Sequence, residues 1–236
     1  MTAFLNWSGG KDSALCLYEA MQNGIAVSAL LTSFNTSTDR VSMHGIRRSL
    51  LQQQAASLGL PLHTLELPES PGMEAYESEL RQLHQSFKEQ GYSHSLYGDI
   101  FLEDLKAYRE SVAAKDGVQA HFPLWKKSSN ELLQNFFSLG FKAIIVCIND
   151  QYLDKSFCGR LLDESFIADL PPGVDLCGEN GEYHSFVFDG PLFSKPVPFV
   201  KGDIIYKAYP APKQPGEECF TTPKPIAGFY FLDLLP

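Results

Sequence analysis

The stretch "NWSGGKDSALCLYEAM", residues 6–21, joins two different periodicities. The residues leading into it, "AFLNW", read as a short buried strand. Ala14, Leu15, Leu17, Tyr18 and Met21 then recur as one helix face, which Gly24 ends. Between the two lie Ser8, Gly9, Gly10, Lys11, Asp12 and Ser13. A turn from a buried strand into a helix presents unpaired N–H groups and the positive end of the helix dipole. Gly9 and Gly10 let the backbone approach an anion closely, and Ser8 and Ser13 add hydroxyl donors. Lys11 adds a point charge, and Asp12 can hold a metal ion that bridges phosphates. The stretch therefore reads as a phosphate cradle, the plain alternative being a glycine turn that happens to carry Lys and Asp. It is not a Walker A loop, because Leu5 stands where the first glycine should be and Asp12 where a hydroxyl should follow the lysine. It is not G-x-G-x-x-G either.

Outward from this turn, the first half alternates strands and helices. "IAVSALLTSF" is continuously apolar, as a strand buried on both faces should be. A helix is predicted from about Ile46 to Leu58, stopped by Gly59. The strand "LHTLEL", a helix over 73–89, the strand "SLYGDI", a helix over 101–116 and the strand "VQAHF" follow. This alternation with short loops implies βαβ units, a parallel sheet and right-handed crossovers. Beyond Pro123-Leu124-Trp125 the rhythm changes. A helix near 129–139 and the strand "KAIIVCI" precede an irregular segment, "GENGEYHSFVFDGPLF". A strand near 203–208, a proline-rich connection over 210–225 and a docked terminal strand, "IAGFYFLDLL", complete the chain. The expected division is a nucleotide-type domain over residues 1–125 and a smaller α+β domain over 126–236.

Bulk composition narrows the partners. A net charge of −9 with no lysine/arginine block argues against a long nucleic-acid backbone. It does not exclude ATP, whose charge can be met locally. No apolar stretch reaches membrane-spanning length and no signal segment opens the chain. Cys16, Cys147, Cys158, Cys177 and Cys219 are never spaced C-x-x-C, which fits reduced thiols in a cytoplasm.

Other polar residues gather at predicted strand ends. "GENGEYH" (178–184) carries Glu179 and Glu182 around Gly181, and a strand beginning there would put Glu182 and His184 on one face. Two acids beside an imidazole can orient an amine, take its proton or bind a cation. With Tyr183 they would also suit a quaternary ammonium group. The alternative is a turn with solvated acids and a packed tyrosine. His44 stands just ahead of a helix, with Arg47 and Arg48 next to it. Gly98-Asp99-Ile100 ends the fourth strand, on the edge where open α/β sheets bind ligands.

SGGKDS resembles the PP-loop of the N-type ATP pyrophosphatases. "GFKAIIVCI", "LDKSFCGRLLDESF" and "CGENGEYHSFVFDGPLF" extend the likeness to the diphthine–ammonia ligase family over nearly the whole chain, most strongly at the loop and at 177–193. The resemblance implies a Rossmann-like, HUP-type parallel sheet with helices on both faces, plus the smaller C-terminal domain. It implies ATP and Mg²⁺, with Ser8 to Ser13 gripping pyrophosphate, Asp12 on the metal, and His44 and Gly98 near the nucleotide. AMP would pass to an acceptor carboxylate, for instance on a protein side chain, and ammonia or another amine would displace it. Lys11, Asp12, Glu179, Glu182 and His184 would be catalytic, the last three facing the acceptor. A homo-oligomer is compatible with this reading. After Gly98 the chain departs from the family's glutamine–arginine helix and has "FLEDLKAYRE". Asp104, Lys106 and Arg109 therefore receive no role, and the acceptor stays open. Two rivals remain: an ATP pyrophosphatase acting in tRNA modification, and a nucleotide sensor without turnover.

Overall fold

The computed structural model describes residues 2–68, 72–210 and 226–236. Five strands form a parallel sheet: β1 (Thr2–Asn6), β2 (Ala26–Asn35), β4 (Leu62–Leu67), β5 (His94–Leu96) and β6 (Gln119–His121). They lie side by side as β4–β2–β1–β5–β6, and a two-residue strand, β3 (Arg40–Val41), folds back antiparallel on the end of β2. Counted in chain order, the parallel strands run 3-2-1-4-5, the doubly wound arrangement. Its switch point lies between β1 and β5, whose crossovers leave in opposite directions and open a crevice at their carboxyl ends.

Side-chain alternation along the strands decides where the helices go. Ala3 and Leu5 of β1, with Leu30 and Phe34 of β2, face a core shared with α1 (Lys11–Gln22) and α2 (Arg48–Leu58). Phe4, Ala29 and Leu31 face the opposite core, with α3 (Met73–Glu89) and α4 (Glu103–Lys115). Helices thus cover both faces, as a strand run without polar alternation requires.

The chain then leaves this sheet through α5 (Ser129–Ser138), whose Leu132, Leu133 and Phe136 are buried, for an antiparallel one. Its strands are β7 (Lys142–Asn149), β8 (Tyr183–Asp189), β9 (Val200–Pro210) and β10 (Ile226–Leu235), in the order β8–β7–β10–β9. β7 is buried everywhere except Lys142, and its isoleucines belong to the same core as α1 and α2. The two sheets therefore share one apolar interior.

Several expectations change in detail. The strand expected over 95–100 ends at Leu96, because Gly98 passes against the first turn of α1; a Cβ there would lie 3.0 Å from the Asp12 carbonyl oxygen. The segment expected to be irregular over 178–193 contains β8. β3 and the five-residue α6 (Glu164–Ala168) are too short to show a period in sequence. Residues 211–225 of the proline-rich connection lie outside the described residues.

Candidate active site

The phosphate-type loop spans the step from β1 to α1. Gly9 takes φ +82°, a left-handed conformation, and Gly10 is the N-cap of α1 without a side-chain cap. Neither glycine has room for a side chain: a Cβ on Gly10 would lie 2.7 Å from the His44 ring, and one on Gly9 would lie 2.9 Å from Gln54 Oε1. The second sheet grips the loop directly. Val187 N–H donates to the Gly9 carbonyl at 2.9 Å, and Lys11 N–H donates to Ser185 Oγ at 3.1 Å. Gln54, buried in α2, donates to the carbonyls of Gly9 and Val187 and accepts from the Trp7 indole. Among the described residues no backbone carbonyl accepts from the next two N–H groups of the helix, on Asp12 and Ser13. They are the donors that an anion would find.

A cavity of about 220 Å³ opens above this loop, at the switch point. Lys11 is almost fully buried, with its ammonium 2.7 and 2.9 Å from the Asp12 carboxylate and 5.4 Å from the centre of the Tyr183 ring. Burial opposes its charge, but Asp12, with Tyr183 and Cys177, outweighs it and holds the ammonium above the ordinary lysine range. Asp12 remains 30% exposed on the cavity side.

Facing the loop are Gly178, Glu179, Tyr183 and His184. Glu179 reaches across to accept from Ile100 N–H at 2.7 Å, which ties the 178–184 loop to the segment after β5. Burial, reinforced by Asp12 and Asp99 against the opposing pull of the Ile100 amide and Lys11, pushes its carboxyl up to about 7. His184 and His44 lie with ring centres 4.7 Å apart. Burial lowers both, His44 to about 4, so both imidazoles are neutral near pH 7. His44 Nδ1 donates to the Ser185 carbonyl at 3.1 Å, leaving its Nε2 as an acceptor. His184 Nε2 is buried without a hydrogen-bond partner among the described residues.

The third wall is Tyr97, Gly98, Asp99 and Arg109. Asp99 is buried and paired with Arg109, through Nη2 at 3.0 Å and Nε at 2.7 Å; only the first has hydrogen-bond geometry. The guanidinium sits 4.5 Å over the Tyr97 ring. Two cations and three carboxylates thus share one enclosed space, and Glu179 is the acid without a cationic partner in contact.

The structure brings Ser8, Lys11, Asp12, Ser13, His44, Gly98, Glu179 and His184 to one cavity, with Gly9 and Gly10 shaping its floor. It does not bring Glu182 there. That carboxylate is 1% exposed and turns back into its own loop, accepting from Asp175 N–H, Asn180 N–H and the Asn180 side chain, each at 3.0 Å. Glu182 precedes β8, so the strand alternation that would pair its face with His184 has not begun. Arg109, which lines the cavity, had a usable signal in sequence. Leu105, Arg109 and Val112 recur at helical spacing, and a charge on an otherwise apolar face marks something to be met there. Asp175 had none: it holds the loop through Cys177 N–H, Glu179 N–H and the Ser129 hydroxyl from seven residues before Glu182.

Among the described residues no group of three or more His, Cys, Asp or Glu side chains is placed to hold a metal ion. That excludes a protein-only cage there, but it fits a magnesium ion that keeps its waters and uses one carboxylate with substrate phosphates. No described helix is long and apolar enough to cross a membrane.

Comparison with known proteins finds two matching family models. Residues 1–120 match the diphthamide synthase N-terminal domain, and residues 128–209 match the diphthamide synthase C-terminal domain. The diphthine–ammonia ligase of Danio rerio is 27% identical over 214 residues, covering 80% of this chain and 83% of the relative. Those of Bos taurus and Homo sapiens are 27% and 25% identical over 220 residues, covering 84% of this chain and 82% of each relative. A solved structure from Methanocaldococcus jannaschii, described as a predicted subunit of tRNA methyltransferase, overlaps at a TM-score of 0.42 with 18% identity, over 62% of this chain and 80% of that one. An overlap that weak bears on neither fold nor activity.

Proposed function

The chain belongs to the diphthamide synthase family, and from that premise we propose that it is an ATP-dependent, amide-forming ligase that releases AMP and pyrophosphate. The observation that supports this best is a single cavity in which an anion-binding helix start from one sheet faces a carboxyl poised near neutral pH from the other. The loop of residues 8–13 holds the pyrophosphate end of ATP through backbone N–H groups and the Lys11 ammonium. An acceptor carboxylate oxygen attacks the α-phosphorus, the bond to pyrophosphate breaks, and an acyl-adenylate forms. Arg109, over Tyr97, is the cation placed to orient that carboxylate. An amine, ammonia in the simplest case, then attacks the acyl carbon and expels AMP. Glu179, at about 7, takes the proton that the nitrogen loses, which is the task its position and burial suit. The neutral imidazoles of His44 and His184 offer lone pairs without adding positive charge. Magnesium, arriving with the nucleotide, would neutralise phosphate charge, with Asp12 as the residue that holds it.

The acceptor class is a carboxylate. The relatives' own name points to diphthine, and α4 is where this chain departs from the family pattern. The described cysteines lend a sulfur-transfer reading no support. Cys16, Cys147, Cys158 and Cys177 are all buried, and burial pushes their thiols up, Cys158 and Cys177 to about 12. Thiols so protonated are poor nucleophiles. The test is chromatography of α-labelled ATP after incubation with Mg²⁺ and a carboxylate acceptor. Sustained AMP release supports the proposal; ADP as the sole product, or binding without turnover by every acceptor offered, overturns it.

A further inference from the structure

Beside the reaction cavity, α3 and α4 leave a gap between them. Met73, Tyr76 and Leu80 recur along one face of α3, and Leu105, Tyr108 and Val112 along one face of α4. These six residues line a second cavity of about 290 Å³. Protein interiors seldom keep an apolar gap of that size, because its lining forfeits contacts. An apolar cavity of about 150 Å³ is enough to hold benzene, so this one has room for a ring and the atoms that attach it. The Tyr108 hydroxyl donates to the Met73 sulfur at 3.2 Å, which joins the two helices here.

The two cavities share a wall. Tyr97 and Arg109 line both. The Tyr97 ring has the guanidinium 4.5 Å from its centre and the Phe122 ring stacked at 5.4 Å, so the partition is braced. Asp99 meets Arg109 through Nε and Nη2, and a guanidinium carries more N–H donors than one carboxylate can take.

We propose that the cavity between α3 and α4 receives the body of the acceptor, a carboxylic acid whose carboxylate is joined by a few atoms to an uncharged, apolar group of about phenyl size. This rests on the ligase reading for the place of the carboxylate at Arg109. Charge selects the tail. Among the described residues that line the second cavity only Arg109 is charged, so a cationic tail would be repelled and an anionic one would compete with the carboxylate. Leu80 and Val112, both buried, and Leu105 beside them favour a tail that gains by leaving water. Adenine is the poorer occupant, because its edge nitrogens need partners and the Tyr108 hydroxyl already donates to Met73.

Calorimetric titration of the nucleotide-free protein with small probes tests this. 3-Phenylpropionate carries both features, acetate only the carboxylate, and 3-phenylpropan-1-ol only the ring and its linker. 3-Phenylpropionate should bind about tenfold tighter than either, or more. Leu105→Trp fills the second cavity and should weaken 3-phenylpropionate by about tenfold, while acetate and Mg-ATP stay within about twofold. Arg109→Gln should erase the advantage of 3-phenylpropionate over the alcohol. The comparison of probes on the wild type needs no variant, so it stands even if Leu105→Trp folds poorly. Equal affinity for 3-phenylpropionate and acetate overturns the proposal, as does a folded Leu105→Trp that binds 3-phenylpropionate normally. So does a loss of Mg-ATP by that variant, which would give the cavity to the nucleotide. Tighter binding of 3-(trimethylammonio)propionate than of 3-phenylpropionate overturns it too, since the tyrosines would then form a cage for a cation. The readout is binding, so the two readings fail separately. AMP release from α-labelled ATP without discrimination among these acids breaks this proposal and spares the ligase reading, and selective binding of 3-phenylpropionate with ADP as the sole product does the reverse.

Discussion

In the loop of residues 8–13 both charged side chains reach the cavity. In the loop of residues 178–184, Glu179 does and Glu182 turns back to hold its own backbone. Both loops are short, polar and glycine-containing, and both border a strand. The difference lies in where their backbone donors are satisfied. A helix start has N–H groups with no internal acceptor, so the loop before α1 is open to an outside anion. The loop before β8 has no helix to cap, and its amides must be met from within. Asp175 and Glu182 do that work, which leaves one acid free for chemistry. Proximity in sequence to an acid that lines the cavity is therefore a poor guide to whether its neighbour does.

The largest expected effect tests this division. Glu179→Gln keeps shape and the bond from Ile100 N–H but removes the proton acceptor. Turnover should fall by a factor on the order of 10²–10⁴ with ATP affinity nearly unchanged. Stopped-flow measurement of AMP formation alongside calorimetric ATP titration reads both. Unchanged turnover would return Glu179 to a purely structural role.

Glu182→Gln should act next most strongly, and on a different quantity. An amide turns an NH₂ group toward donors that need an acceptor, so stability should fall by about 2–4 kcal/mol. Turnover per folded molecule should stay within severalfold of wild type. Urea denaturation coupled to assays at low temperature separates the two. A variant that melts normally yet is inactive would put Glu182 in the chemistry after all.

Much of the fold and part of the site were legible in sequence for the same reason. The strand–glycine–helix turn fixes its own geometry locally, so Ser8 to Ser13 could be placed from periodicity, and Gly98 followed from the sheet edge. What the sequence did not show is how distant segments deliver two of the cavity's side chains. Arg109, marked only by its helical spacing, reaches the cavity because α4 packs beside β6. His44, expected near the nucleotide from the resemblance alone, reaches it because a tight turn after β3 delivers the ring to Gly10, where Gly45 is left-handed and pressed against Phe231. The bracing of the loop by Gln54, Ser185 and Val187 needs the second sheet in place. That contact also blurs the expected split of labour between the two halves, since β8 supports the phosphate loop as well as carrying His184.

Lys11→Ala follows in size. It should weaken ATP binding by about 1.5–3 kcal/mol, the usual worth of a charge-assisted hydrogen bond, and calorimetry at fixed Mg²⁺ measures it. The loss should be partial, because the backbone donors of Asp12 and Ser13 remain. Equal affinities would show that the open helix start, not the lysine, carries the phosphate.

The smallest effect concerns stability against pH and sharpens the contrast between the two acids. Glu179 rises from 4.5 to about 7 on folding, chiefly through burial. Between those values the unfolded chain has released the proton while the folded chain still holds it. The contribution of this group is therefore fully present below about pH 4.5 and is lost as pH rises through 7. Allowing for the solvent that the cavity admits, the loss should be on the order of 1–2 kcal/mol. Glu179→Gln cannot ionise and should escape it, so the variant should gain stability relative to wild type as pH goes from 5 to 8. Glu182→Gln keeps the Glu179 carboxyl and should therefore show no such gain. Melting temperatures of the three proteins across pH 5–8 decide the matter. Parallel curves for wild type and Glu179→Gln would mean that the Glu179 carboxyl ionises at an ordinary pH, and the case for it as the proton acceptor would lose its electrostatic footing.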